Sequence, residues 1–152
     1  MSALLDQSIA CFEYALRDAM MNKLAIQYPA VVAYIVRSDG TMLAVTRKDT
    51  GELSAPGGKC ESNESFHKAL RREMIEEVGL VPIHWHLVYD GKHSSGRRVL
   101  AYRILEWRGE PFAWEHGTRI EWVRPGIIAN SFGAEYHRCA LAAAKLLDSV
   151  AL

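Results

Sequence analysis

Three glutamates, Glu73, Glu76 and Glu77, stand at positions i, i+3 and i+4 of a stretch, Ser65 to Val78, that contains neither glycine nor proline. Were that stretch helical, the three carboxylates would leave one face within roughly 100° of arc. Like charges at this spacing destabilise an isolated helix by a few tenths of a kcal/mol per pair, and their repulsion raises carboxylate pKa values until a divalent ion relieves it. Oxygen donors at such density suit a hard ion, Mg²⁺ or Mn²⁺, rather than Zn²⁺, which favours histidine and cysteine. The residues alone leave a second reading open, in which the same face is solvated and neutralised by Lys68, Arg71 or Arg72.

A helix carrying these carboxylates needs ends, and both are written in the chain. Ser65 is of N-cap type, and Gly79 is placed to stop the helix. Before it, a loop from Lys48 to Gly58 follows two strand-like runs, Val31 to Val36 and Met42 to Thr46, separated by the turn Ser38-Asp39-Gly40; a hairpin is the simple expectation. After Pro82 come three further strand-like runs, His84 to Tyr89, Val99 to Trp107 and Ile120 to Val123. A last helix is expected from Ala134 to Val150. At the other end, Leu5, Ile9, Phe12, Leu16 and Met20 fall at steps of three and four, drawing an apolar stripe along a helix from about Ser2 to Ala25. That helix either covers the domain's own core or makes a homodimer contact. Strands interleaved with helices predict an α/β sandwich, with a sheet between helical layers.

Composition narrows the function classes. A chain of 152 residues with 49% hydrophobic content fits one domain, residues 1–152, in which 1–28 is a helical extension packed on the rest. Lys plus Arg and Asp plus Glu both number 18, so no whole-molecule field draws it to nucleic acid or a membrane, and phosphate recognition has to be local. Cys11, Cys60 and Cys139 are odd in number and far apart, against a disulfide framework or zinc cluster and in favour of a cytoplasmic setting. No apolar run reaches membrane-spanning length, and no cleavable leader is evident.

The run GKCESNESFHKALRREMIEEVGL from Gly58 to Leu80 places Gly58, Glu64, Arg72, Glu73, Met74, Glu76, Glu77, Gly79 and Leu80 at every fixed position of the signature of the Nudix hydrolases, which this chain resembles. From about Val31 to Trp122 it is similar to the nucleoside triphosphate pyrophosphohydrolases of the MutT type. The resemblance implies an α/β/α sandwich with a mixed central sheet, the N-terminal helix being an addition. It implies a Mg²⁺ or Mn²⁺ cofactor held by Glu73, Glu76, Glu77 and the Gly57 carbonyl, joined by Glu115, to which Gly109-Glu110-Pro111 leads. Arg72 would bridge to Glu64, with Gly58 and Gly79 structural. Either Glu73 or Glu115 would take the proton of the attacking water.

The implied substrate is a nucleotide-type small molecule, foremost a nucleoside triphosphate cut to monophosphate and pyrophosphate. Marks of the ADP-ribose, dinucleoside polyphosphate and NADH branches are absent. Those substrates, nucleotide sugars and RNA 5′ ends form the alternative; a binding module without catalysis is a third reading, disfavoured by the intact glutamates. Arg47 and the turn Lys92 to Arg98 are candidates for phosphate contact, although a solvated hairpin tip is the preferred reading of the turn. Trp114, beside Glu115, is a candidate for stacking on a base. Tyr136 stands near where the MutT type carries a purine-reading asparagine, a departure that argues against oxidised guanine. His84 and His86 share a strand face without a third zinc ligand.

Overall fold

The computed structural model describes residues 2–131 and 133–147, with side chains in the first helix described for residues 6–20. In chain order the elements are α1 (Ser2–Gln27), β1 (Ala30–Ile35), β2 (Met42–Thr46), β3 (Leu53–Ser54), β4 (Gly57–Lys59), α2 (Phe66–Val78), β5 (Val81–Lys92), β6 (Arg98–Arg108), β7 (Ile120–Val123), α3 (Pro125–Ala129) and α4 (Ala134–Ala143).

Val31, Ala33, Tyr34 and Ile35 are all buried and only Ala30 and Val32 are partly open, so β1 becomes an interior strand. It pairs parallel with β6 and antiparallel with β4, giving a mixed sheet of order β4-β1-β6-β5. A parallel pair needs a long crossover, and the β1 to β6 connection contains α2. The expected β1–β2 hairpin does not form. Beyond the single bridge Val36–Met42 the strands part, and β2 becomes the centre of an antiparallel sheet of order β3-β2-β7. The reason lies in burial. Met42 to Val45 are as buried as β1, and each strand needs neighbours on both sides that the other cannot supply.

Two cores follow. On one side of the mixed sheet Leu70, Met74 and Val78 of α2 pack with Val31, Ile35, Leu100 and Ile104. On the other, Ile128 of α3 and Tyr136, Ala140 and Leu141 of α4 pack with Tyr34, Val99 and Ala101. The sheet therefore lies between helices, as the sequence predicts. The five-residue α3, opened by Pro125, is too short to show helical periodicity and has no counterpart among the expected elements. Helix α4 stops at Ala143, well short of the expected Val150, with Lys145 in left-handed conformation (φ 58°); Val150 itself lies outside the described residues.

The N-terminal helix forms where expected, but every described side chain from Asp6 to Met20 is exposed, Phe12 by 67%. This stretch does not cover the core, because α2 on one face and α3 with α4 on the other already bury the apolar stripes there. Leu5 falls outside the described side chains. Among the described residues no helix is long and apolar enough to cross a membrane.

The caps of α2 match the sequence reading. The Ser65 hydroxyl accepts from the Lys68 N–H (3.2 Å), and Gly79 closes the helix at φ 70° with its N–H donating to the Ile75 carbonyl (3.1 Å). A Cβ at Gly79 would also meet Nε1 of Trp114 at 2.7 Å. Gly79→Ala is therefore expected to destabilise the fold by about 1–3 kcal/mol, combining the left-handed penalty with displacement of Trp114. Urea unfolding measures it; no change would show that the helix end relaxes freely.

Candidate functional site

Burying Leu70, Met74 and Val78 turns the flank of α2 that carries Glu73 and Glu77 toward β4. The contact is close because β4 begins with two glycines. A Cβ on Gly58 would overlap the Glu73 carboxylate, and one on Gly57 would overlap the Val31 carbonyl oxygen across the β1–β4 pairing. With those side chains absent, the Gly57 N–H donates to Glu77 Oε2 at 3.2 Å.

Arg72 binds the loop before α2 to the helix. Its Nε and Nη2 reach both Glu64 oxygens (2.8 and 2.9 Å), Nη2 also reaches the Lys59 carbonyl (3.0 Å), and Nη1 donates to Glu73 (2.8 Å) and Glu76 (3.2 Å). The two-pronged pair holds Glu64 below the usual carboxylate range, and the same bonds raise Arg72. Glu73 and Glu77 go the other way. Burial, opposed by Arg72, raises Glu73. Burial pushes Glu77 up to about 8 against the pull of the Gly57 N–H, with Glu73, Glu115 and Glu76 adding repulsion.

A cleft of about 640 Å³ opens here. Gly57, Gly58, Glu77 and Glu115 line it together with Arg47, Lys48, His93, Ser95, Arg97, Val99, Tyr136 and His137. Glu115, half exposed on the loop after β6, is paired with Lys48 (3.1 Å). Arg47 is held by Asp49 (2.6 and 2.9 Å). Tyr136 presents its ring, its hydroxyl donating to the Val99 carbonyl (3.0 Å). Trp114 is not among the lining residues. It packs edge-on against Phe112 over Gly79, with ring centroids 5.1 Å apart. Glu64, Arg72, Glu73 and Glu76 are not among the lining residues either, the first three being largely covered and Glu76 exposed. His84 is paired with Glu106 (2.9 Å). From the Lys92–Arg98 turn, His93, Ser95 and Arg97 do reach the cleft. His137 was not anticipated; a lone histidine on a helix gives no sign of facing a cavity.

Among the described residues no three carboxylates or imidazoles already converge on one point. Arg72 and Lys48 occupy three of the four acids. The donor set nonetheless fits a hard divalent cation, because the acids are oxygen donors, Glu77 is buried without a cationic partner strong enough to keep it ionised, and it feels the other three charges.

A NUDIX domain family model matches residues 27–143. The 8-oxo-dGTP diphosphatase of Haemophilus influenzae is 32% identical over 111 residues, 68% of this chain and 79% of that protein. The 8-oxo-dGTP diphosphatase of Escherichia coli is 31% identical over 107 residues, 64% of this chain and 82% of the relative. The crystal structure of a MutT NUDIX hydrolase from Burkholderia pseudomallei superposes with a TM-score of 0.57 at 28% identity, covering 65% of this chain and 84% of that one.

A carboxyl raised by burial binds its proton more tightly folded than unfolded. The stability it confers is whole below its ordinary value of 4.5 and is lost as pH climbs through about 8. Metal-free protein should thus lose on the order of a few kcal/mol between pH 4.5 and 8, Glu77→Gln should lose much less, and Mg²⁺ at pH 8 should restore wild type but not the variant. Thermal unfolding across pH, with and without metal, reads all three; equal pH slopes for both proteins would contradict the assignment.

Proposed function

This chain belongs to the NUDIX family of hydrolases that act on pyrophosphate linkages, and on that premise we propose that it cuts a nucleoside triphosphate to the monophosphate and pyrophosphate with Mg²⁺ or Mn²⁺. The observation that carries this reading is one cleft lined by the acids Glu77 and Glu115, by Gly57 and Gly58, and by the cations Arg47, Lys48 and Arg97. Relatives bear names of the same chemistry: beside the two diphosphatases, the CTP pyrophosphohydrolase of Escherichia coli is 30% identical over 102 residues, 75% of its length.

In this reading Glu73, Glu76, Glu77, Glu115 and the Gly57 carbonyl would hold the ion. Bound there, it would supply charge to the phosphate oxygens and acidify the attacking water. The chain's own part is positional and electrostatic. Arg72, locked by Glu64 and the Lys59 carbonyl, fixes the loop against α2, so that the acids keep their places as the charges shift. Lys48, freed from Glu115, is placed to meet a phosphate oxygen, and Arg47 is presented beside it by Asp49. Glu115, on the exposed side of the cleft, or Glu73, against Gly58, takes the water's proton. Tyr136 contributes to the cleft wall, whereas Trp114 would reach the cleft only by leaving Phe112.

Free Cys11 and Cys139, both exposed, are in keeping with a reducing, cytoplasmic compartment. The unburied stripe of Ile9, Phe12, Leu16 and Met20 is in keeping with self-association through α1.

An RNA 5′ end is the second reading, favoured by one observation: the RNA pyrophosphohydrolase of Pasteurella multocida is 35% identical, over half of that protein's length. Balanced charge speaks against it. Incubation with Mg²⁺ and a panel of triphosphates, ADP-ribose, dinucleoside polyphosphates and 5′-triphosphorylated oligonucleotide should yield monophosphate and pyrophosphate from a free triphosphate. Glu77→Gln should lower kcat roughly 100-fold or more. Turnover of the oligonucleotide alone would replace the proposal with the RNA reading.

A further inference from the structure

Trp114 directly precedes Glu115 in the chain, yet it does not line the cleft, and the catalytic reading leaves it without a task. With 66% of its surface exposed it adds little to either core. Its indole is nonetheless seated. Nε1 and Cδ1 lie 2.7 and 3.4 Å from where a Cβ on Gly79 would stand, and the ring meets Phe112 edge-on. Phe112 in turn gives its N–H to the Val78 carbonyl (2.9 Å), one of those that the last turn of α2 leaves open. A Cβ on Gly109 would stand 3.2 Å from the Gly79 carbonyl. Gly109, Phe112 and Trp114 thus fix the loop after β6 against the C-terminal end of α2, and Trp114 is the last of these points before Glu115.

The other end of the loop is fixed elsewhere. The Glu115 carbonyl accepts from the Thr118 N–H (3.1 Å) and hydroxyl (2.7 Å), closing a turn through Gly117 (φ 84°). The next carbonyl, that of Arg119, accepts from the Thr46 N–H at the end of β2 (2.8 Å). The chain leaving β2 carries Lys48, to which Glu115 is paired at 3.1 Å. Glu115 is therefore held between two supports: one on β2, the strand that leads to its cation, and one on α2, the helix of Glu73, Glu76 and Glu77. Its charge acts on Glu77, and both acids line one cleft. With both supports in place, exchanging Lys48 for an ion shared with α2 takes the rotation of one side chain and no refolding of the loop.

We propose that Trp114 is a positioning residue: seated on Gly79, it holds the Glu115 loop in register with α2, so that Glu115 completes the divalent-cation site. The inference rests on the metal-dependent reading given above and assigns Trp114 a task other than stacking on a base. Without that seat the loop would still pair Glu115 with Lys48, but an ion would have to order the loop as it bound, and its affinity would fall by that cost. Gly79 then lacks a side chain for two reasons, its left-handed backbone and the indole that occupies the space.

The test is Mn²⁺ binding to the nucleotide-free protein, followed by the electron paramagnetic resonance signal of the free ion, with triphosphate hydrolysis and urea unfolding measured alongside. Trp114→Ala should weaken binding roughly five- to tenfold, and Trp114→Phe, which keeps a ring over Gly79, should recover most of that loss. The double variant Trp114→Ala/Glu115→Ala should bind no more weakly than Glu115→Ala alone, because Trp114 acts through Glu115. The urea midpoint of Trp114→Ala should stay close to that of wild type, since the ring is largely exposed. Wild-type affinity in Trp114→Ala, no recovery with phenylalanine, additive losses in the double variant, or a loss that merely follows unfolding would each overturn the proposal. So would a raised KM for triphosphate with Mn²⁺ affinity unchanged, which is the mark of a stacking residue. If the Mn²⁺ results hold while no triphosphate is hydrolysed, the catalytic reading falls and this one stands; absence of Mn²⁺ uptake by wild type would remove both.

Discussion

Leu70, Met74 and Val78 commit α2 to one rotation about its axis, and every other feature of the acidic cluster is set by that choice. With those three buried against β1 and β6, the neighbouring flank has to face β4, and Glu77 goes under cover beside Gly57. A buried carboxylate is costly unless paired. Here the nearest compensation is one backbone N–H, against the charges of Glu73, Glu76 and Glu115. Hydrophobic burial thus holds in place an electrostatic arrangement that would not persist by itself. A site under such tension has its strongest attraction for a compact positive ion.

Arg72 shows how the same helix keeps that tension local. It satisfies Glu64 with two bonds and shares its remaining N–H groups between a backbone carbonyl, Glu73 and Glu76. Glu64 is lowered by its bonds to Arg72 while burial raises Glu73 and Glu77, so neighbouring acids of one short segment are pushed in opposite directions. The division comes from surroundings, since the side chains are chemically identical.

Another part of the cleft wall depends on the fold's other layer. Tyr34 points away from α2 toward α4, and its partner comes from residue 137, more than a hundred positions along the chain. One strand thus serves both layers: Val31 and Val32 pair with the glycines of β4, and Tyr34 of the same strand supplies the hydroxyl that meets His137. The cleft is continuous because β1 is central to the sheet.

Helix α2, its caps, the strand runs after Pro82 and the acidic signature were legible from the chain, because each is a local pattern: spacing along one helix, a serine before it, a glycine after it. So was the family. What local pattern could not decide was which strands become neighbours. Val31 to Val36 and Met42 to Thr46 look like the arms of a hairpin, yet both are buried on two faces and divide between two sheets. The same limit applies to α1, whose apolar stripe is plain in the sequence while its burial is not, and to Trp114, adjacent to Glu115 in the chain but turned onto Phe112. The pairing of Tyr34 with His137 had no sequence signal at all. Spacing along a helix or strand is a property of the backbone and is carried by the sequence itself. Which faces meet is settled by competition among all the apolar surfaces for a limited number of partners, and only the assembled chain shows the outcome.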